Sequence, residues 1–330
     1  MSVFKRSYTM RIASLRSNNP KNIKIAEQAH ENWKHADNIR DQGLNPKPKD
    51  IIKHTNLEYG PDKKHNLIDV YRPANAKIGK LPLIIDMHGK GFVYGSRKTY
   101  QFYCMHLARA GFEVVSYDYR LAPKYPFPCA WDDTQMAVRW CVKNAYRYGF
   151  DLQHVFIIGD SAGANLAEEY LTLYTNPIAA AKFDFKRPPI NIMGGVFNCG
   201  VFFINKILGY VNPVESTYYT HQVTQHYPDF VHIDNYIKRP FLPVFVQTAS
   251  DDDMINQSFR MDQLLIDHEI PHLYKIYGSD DFPREHDFQI DQSDPIADRC
   301  DDDELSFFKR LLKRENVQNL NEKQLSQITI

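Results

Sequence analysis

An α/β fold with a mostly parallel sheet is what this sequence predicts, and three observations predict it. From Leu81 onward, short apolar runs alternate with stretches of helical periodicity, the pattern of repeated βαβ units. One run, Val155–Ile158, ends in Gly159-Asp160-Ser161-Ala162-Gly163 and turns directly into a helical pattern, so a serine stands on a sharp strand-to-helix turn. The chain has 330 residues, 43% of them apolar, enough for a substantial core in one large or two smaller domains.

The elements follow in order. Residues 1 to about 50 lack a β pattern. Within them, Asn22 to Arg40 reads as a weakly amphipathic helix with Ile23, Ala26, Ala29, Trp33 and Ala36 at helical spacing. Asn45-Pro46-Lys47-Pro48 breaks the chain. Ile51–Tyr59 and Asn66–Tyr71 read as strands joined by the turn Gly60-Pro61-Asp62. Leu83–Met87, Glu113–Tyr117, Val155–Ile158, Ile192–Phe197, Val244–Thr248 and Leu273–Tyr277 supply the remaining strands. Tyr100–Ala110, Asp132–Tyr146, Ala162–Tyr174 and Phe259–Asp267 are the helices between them. Between Gly200 and Arg239 the alternation lapses into an aromatic, His-rich stretch. A stretch this long without a clear strand is usually a lid or small cap. A last helix is expected from Asp301 to about Arg314, with acids at its start matching the helix dipole and Leu305, Phe308, Leu311 and Leu312 as its buried stripe.

Charge and cysteine usage narrow the function. Forty basic and forty acidic side chains give a formal net charge of zero, which argues against nucleic acid or an anionic membrane surface as partner. Five cysteines without a CxxC pair read as reduced thiols of a cytoplasmic protein. No signal peptide or transmembrane run is expected.

A serine hydroxyl is a weak nucleophile. It needs a base, and the base needs a carboxylate to fix its tautomer. His286, on a loop after the strand ending at Tyr277, stands where that base belongs. The carboxylate should follow Val244–Thr248, where Asp251, Asp252 and Asp253 are adjacent; Asp252 is the choice and Asp251 the reserve. An oxyanion hole needs two or three N–H groups aimed at one point. Ala162 supplies one, and the loop His88-Gly89-Lys90-Gly91-Phe92 the others, from Lys90 and Gly91.

Taken together, these motifs resemble the hormone-sensitive-lipase-like esterases, a branch of the α/β-hydrolases. His88-Gly89-Lys90-Gly91-Phe92 is similar to the family's His-Gly-Gly-Gly-Phe, and His286-Asp287-Phe288 to its His-Gly-Phe. Tyr119-Arg120-Leu121-Ala122-Pro123, followed by Tyr125-Pro126-Phe127-Pro128, and Gly159–Ala167 match further segments. Asp252-Asp253-Met254 looks like the family's Asp-Pro-Leu around the triad acid. The resemblance spans about residues 65 to 315. It implies an α/β-hydrolase fold with helices on both faces of the sheet and a helical cap. The cap would comprise residues 1–50 and an insert at about 200–240, the catalytic domain being 51–330. It implies a serine carboxylesterase for short- to medium-chain esters, with a small-molecule ester as partner, no metal or cofactor, and a homodimer left open. An amide or carbamate hydrolase on the same triad is the alternative. A non-catalytic receptor on this fold and a membrane-surface lipase rank below it.

Three residues depart from the family pattern. Lys90 replaces a glycine whose N–H the family uses, and its side chain either leaves the site or enters it, where it would favour an anionic or polar acid group. Ala164 replaces a glycine after the serine turn. Asp287 replaces the glycine after the histidine and either perturbs His286 or faces water. His88 is expected to orient its loop, and Arg120 to form a buried ion pair.

Overall fold

Strands β1 (Ile51–Glu58), β2 (Leu67–Pro73), β3 (Leu81–Met87), β4 (Glu113–Tyr117), β5 (Phe150–Asp160), β6 (Ile192–Asn198), β7 (Val244–Ala249) and β8 (His272–Tyr277) form one sheet. Its order is β1-β2-β4-β3-β5-β6-β7-β8. This is a computed structural model that describes residues 11–76, 79–204 and 212–328, with side chains to residue 315. Strands β1 and β2 pair antiparallel, β2 pairs antiparallel with β4, and every other pairing is parallel. The helices are α1 (Pro20–Arg40), α2 (Gln101–Arg109), α3 (Cys129–Tyr148), α4 (Ala162–Thr175), α5 (Pro177–Lys182), α6 (His221–His226), α7 (Ile255–Asp267) and α8 (Pro295–Ile328).

The two-residue period of the strands divides the core. Leu83, Ile85, Ile157 and Val246 point to one face, which packs on residues of α3, α4 and α7. Ile84, Phe156, Ile158 and Phe245 point to the other, which packs on α2 and α8. Phe156 stacks on Phe308 of α8 with ring centroids 4.4 Å apart. Truncating either ring would cost about 3–5 kcal/mol. The expected buried stripe of α8 is present: Leu305, Phe308 and Leu311 are buried, and Leu312 packs beside them.

Two expectations need correction. Strand β5 begins at Phe150 rather than Val155, with register irregularities against β3 and β6 absorbing the extra length. Helix α8 starts at Pro295, not Asp301, because Asp294 accepts from the Ile296 N–H and proline suits the first turn. The acids at 301–304 therefore lie inside the helix. Glu304 is buried and accepts from Tyr103 Oη at 2.6 Å and Asn198 Nδ2 at 2.8 Å. Asp301 and Glu304 are buried, Asp302 is exposed and Asp303 pairs with Lys275, so these acids do not form a dipole-matched terminus.

The stretch after Gly200 forms no strand among its described residues. It contributes a 3-10 turn at Glu215–Thr217, α6 and a second turn at Ile233–Tyr236; residues 205–211 lie outside the described residues. The N-terminal segment packs on it. Thr220 Oγ1 donates to Leu15 O at 2.6 Å, Asn22 Nδ2 donates to Ser216 Oγ at 2.7 Å, and Arg11 bonds the Tyr227 hydroxyl. The five cysteines are free and buried. Among the described residues, no helix is long and apolar enough to cross a membrane.

Candidate active site

Ser161 stands between the last residue of β5 and the first of α4, with φ 49° and ψ −116°. L-residues rarely adopt this conformation, and here the fold imposes it. Its N–H donates to Asn198 O at 2.8 Å, anchoring the turn to β6. A side chain at 163 would meet the wall at once, since a Cβ on Gly163 would stand 1.8 Å from Met87 O. The close approach of α4 to β3 therefore requires glycine there and holds the serine at the carboxyl edge of the sheet. Ala164, the mild departure, is accommodated in the core.

His286 lies on the loop after β8 and Asp252 on the loop after β7. His286 Nδ1 is 2.8 Å from Asp252 Oδ1, so Asp252 rather than Asp251 meets the imidazole. Asp251 is exposed. Asp252 is itself held: Met254 N–H donates to Oδ1 at 2.8 Å and Thr248 Oγ1 to Oδ2 at 3.0 Å. Burial raises the Asp252 pKa, but the bond and charge of His286 outweigh it, and the carboxyl sits below its ordinary value. Among the described residues no hydrogen bond joins Ser161 Oγ to His286. Such bonds commonly tighten only around substrate.

The loop 88–92 crosses above the serine turn. His88 is fully buried, and burial lowers its pKa to about 3, so it is neutral. It stacks on Tyr119 at 4.0 Å, and Tyr119 Oη donates to His88 O at 2.8 Å. It is the loop-orienting histidine the sequence suggested. Lys90 and Gly91 have φ of 73° and 61°, and the Trp33 ring of α1 lies against Gly91. The N–H groups of Lys90, Gly91 and Ala162 donate to no acceptor among the described residues.

The two uncommon side chains meet each other. Lys90 Nζ is 3.6 Å from Asp287 Oδ2, and Asp287 Oδ1 is 3.4 Å from His286 Nε2. Asp287 is 4% exposed, makes no hydrogen bond through either oxygen, and has φ 60°. So Lys90 enters the site, and Asp287 faces the imidazole rather than water. Burial alone would depress the His286 pKa. The charge of Asp287 and the bond to Asp252 overcome it and raise it to about 9, against a smaller opposing effect of Lys90.

One cavity of about 560 Å³ collects these groups, lined by Trp33, Lys90, Gly91, Ser161, Glu215 and His286, with Asp251, Asp253, Glu285 and Asp287 among its walls. Glu215 had no signal in the sequence, because it comes from the irregular insert and no spacing ties it to the other groups. A second cavity, about 590 Å³ beside Trp140 and Tyr148, holds none of Ser161, Asp252 and His286. Cys199, Asp252 and His286 bring possible ligand atoms within 4.8 Å of one another. However, His286 Nδ1 and Asp252 Oδ1 already bind each other, and burial keeps the Cys199 thiol protonated.

A family model described as the alpha/beta hydrolase fold matches residues 84–180. Esterase B of Lactobacillus rhamnosis superposes with a TM-score of 0.81 at 22% identity, over 92% of this chain and all of that one. An esterase of the bacterial hormone-sensitive lipase family superposes with a TM-score of 0.64 at 18% identity, over 89% and 99%. By sequence, an ethyl acetate hydrolase of Pseudomonas putida is 38% identical over 111 residues, 33% of each chain. Esterase LipI of Mycobacterium tuberculosis is 41% identical over 87 residues, 26% of this chain and 27% of its own. The chain thus spans between 26% and 38% of the length of the curated relatives it matches. The fold is that of the α/β-hydrolases, and residues 84–180 match the model of that fold.

Proposed function

We propose that the protein is a serine carboxylesterase acting on short- to medium-chain esters through an acyl-enzyme. The observation that carries this reading is the convergence of Ser161 and the Asp252-bonded His286 on one cavity beside unspent N–H groups. His286 takes the Ser161 proton as Oγ attacks the ester carbonyl, and Asp252 stabilises the imidazolium. The N–H groups of Lys90, Gly91 and Ala162 receive the oxyanion. The C–O bond to the alcohol breaks, and the alcohol leaves with the proton from His286. Water then attacks the acyl-enzyme by the same route, and the acid is released with Ser161 restored. Residues 1–50 and the insert at about 200–240 act as the cap, and the buried free thiols fit a cytoplasmic setting.

The test is hydrolysis of p-nitrophenyl esters from acetate to palmitate. We expect turnover on the short chains and a loss of at least about 10³-fold in Ser161→Ala. No turnover by folded wild-type protein would end the reading. Asp252→Asn should cost about 10⁴-fold in kcat, and Asp251→Asn only a few-fold; the reverse order would reassign the triad acid.

A further inference from the structure

The cavity is electrically lopsided in a chain whose charges balance. Five carboxylates line it: Glu215, Asp251, Asp253, Glu285 and Asp287. Among the described lining residues Lys90 and the His286 imidazole are the groups that can carry positive charge, and both face Asp287, Lys90 Nζ at 3.6 Å and His286 Nε2 at 3.4 Å. An anionic group on the substrate, which Lys90 alone would favour, therefore meets an already neutralised lysine and a negative wall. Asp251, Asp253 and Glu285 are exposed at the mouth, with no side-chain cation among the described residues. The neighbouring Arg284 is committed to Asp294, at 2.9 Å through Nη2.

Glu215 is the second and independent observation. It comes from the insert, not from the loops of the mouth. It is 5% exposed, yet its carboxyl lines the cavity and has no hydrogen-bond or ion-pair partner among the described residues. Burial raises its pKa to about 7, with His286 pulling the other way. A buried carboxyl without a hydrogen-bond partner favours a cation placed beside it. Trp33 lines the same cavity, and an indole face is the best aromatic partner for a cation. A metal ion fits poorly. No three of these five carboxylates bring ligand atoms within 4.8 Å of one another among the described residues, so they make a diffuse negative field rather than a chelating set.

We infer that the ester this site takes carries an ammonium group, drawn in by the acidic mouth and seated near Glu215 and the Trp33 indole. The inference rests on the esterase reading above and names its substrate class.

Three probes test it: butyrylcholine, its uncharged carbon isostere 3,3-dimethylbutyl butyrate, and p-nitrophenyl butyrate as neutral reference. Wild-type protein should show a kcat/KM for the cation at least about tenfold above that for the isostere at low salt, and the ratio should fall as salt rises. Glu215→Gln should collapse the ratio toward one. The surface variant Asp253→Asn with Glu285→Gln, which leaves the core untouched, should flatten its salt dependence. Equal or better turnover of the isostere, with p-nitrophenyl butyrate hydrolysed normally, would overturn the inference and leave the esterase reading standing. If p-nitrophenyl butyrate is not hydrolysed, the esterase reading fails, and calorimetric titration with tetraethylammonium decides for the cation site. Binding that Glu215→Gln abolishes supports it, and absence of binding by wild type overturns it.

Discussion

Two acid–base pairs in this molecule are about equally buried, and they differ in how they are bonded. Beneath the site, Arg120 and Asp133 are locked together: the guanidinium donates to both carboxylate oxygens at 2.8–3.1 Å, and the Arg120 N–H adds a bond at 2.8 Å. Inside the site, Lys90 and Asp287 stand 3.6 Å apart with no hydrogen bond, and both occupy left-handed backbone. A satisfied, bidentate pair holds a loop in one place. A loose pair on unfavourable backbone, one to two kcal/mol per residue by an order-of-magnitude count, contributes little to stability. Its position astride His286 makes it an electrostatic device instead.

The largest effect should separate the two. Asp133→Ala leaves the Arg120 charge in a mostly buried place and should cost about 3–5 kcal/mol in denaturant unfolding, without moving the pH dependence of any remaining activity. A loss below about 1 kcal/mol would erase the distinction between the pairs.

Asp287→Asn should do the opposite. The ester-cleaving form needs neutral His286, so with a pKa raised to about 9 kcat/KM should climb with pH until about that value. Asp252, Asp287, Lys90 and Glu215 are the charged groups acting there. Removing the Asp287 charge should lower that limb by about one unit or more, with unfolding free energy changed by about 1 kcal/mol or less. An unmoved limb would show that Asp287 does not govern the imidazole. The sign for stability follows from the same shift. A raised folded pKa makes protonated His286 a stabilising group at pH below its ordinary 6.5, and that contribution is lost as pH rises through about 9.

Lys90→Gly should be the smallest change. Glycine relieves the φ of 73° while Asp287 loses its counterion, so stability should shift by about 1 kcal/mol or less in either direction. Neutral short esters should still be cleaved, because the N–H at 90 survives. Preference for cationic over neutral esters should rise a few-fold; a shift toward anionic esters would contradict the charge balance of the cavity.

Much of this was legible in one dimension. The serine turn is a local device: glycine at 163, an apolar run before it and a helix after it are all short-range, and so are the alternating strands that carry the sheet. Order along the chain places the acid just after β7, the resemblance of Asp252-Asp253-Met254 to the family's Asp-Pro-Leu points to Asp252, and the 2.8 Å bond to His286 agrees with that choice. By composition the acids at 301–304 look like a helix N-terminus, which places the start of α8 six residues after Pro295. Only packing against Tyr103 and Asn198 shows Glu304 to be a buried acceptor.

What the sequence determined by itself is whatever depends on neighbours along the chain: the alternation, the turn around Ser161, and the order of serine, aspartate and histidine. What only the tertiary structure decided depends on residues far apart meeting across the carboxyl edge of the sheet. Lys90 and Asp287 are 197 positions apart, and each alone, in a glycine's place, leaves open whether its charge enters the site or faces water. Glu215 comes from a segment with no periodicity at all. Charge interactions act through space and not along the chain, so the field inside the cavity appears only once the loops have been brought together.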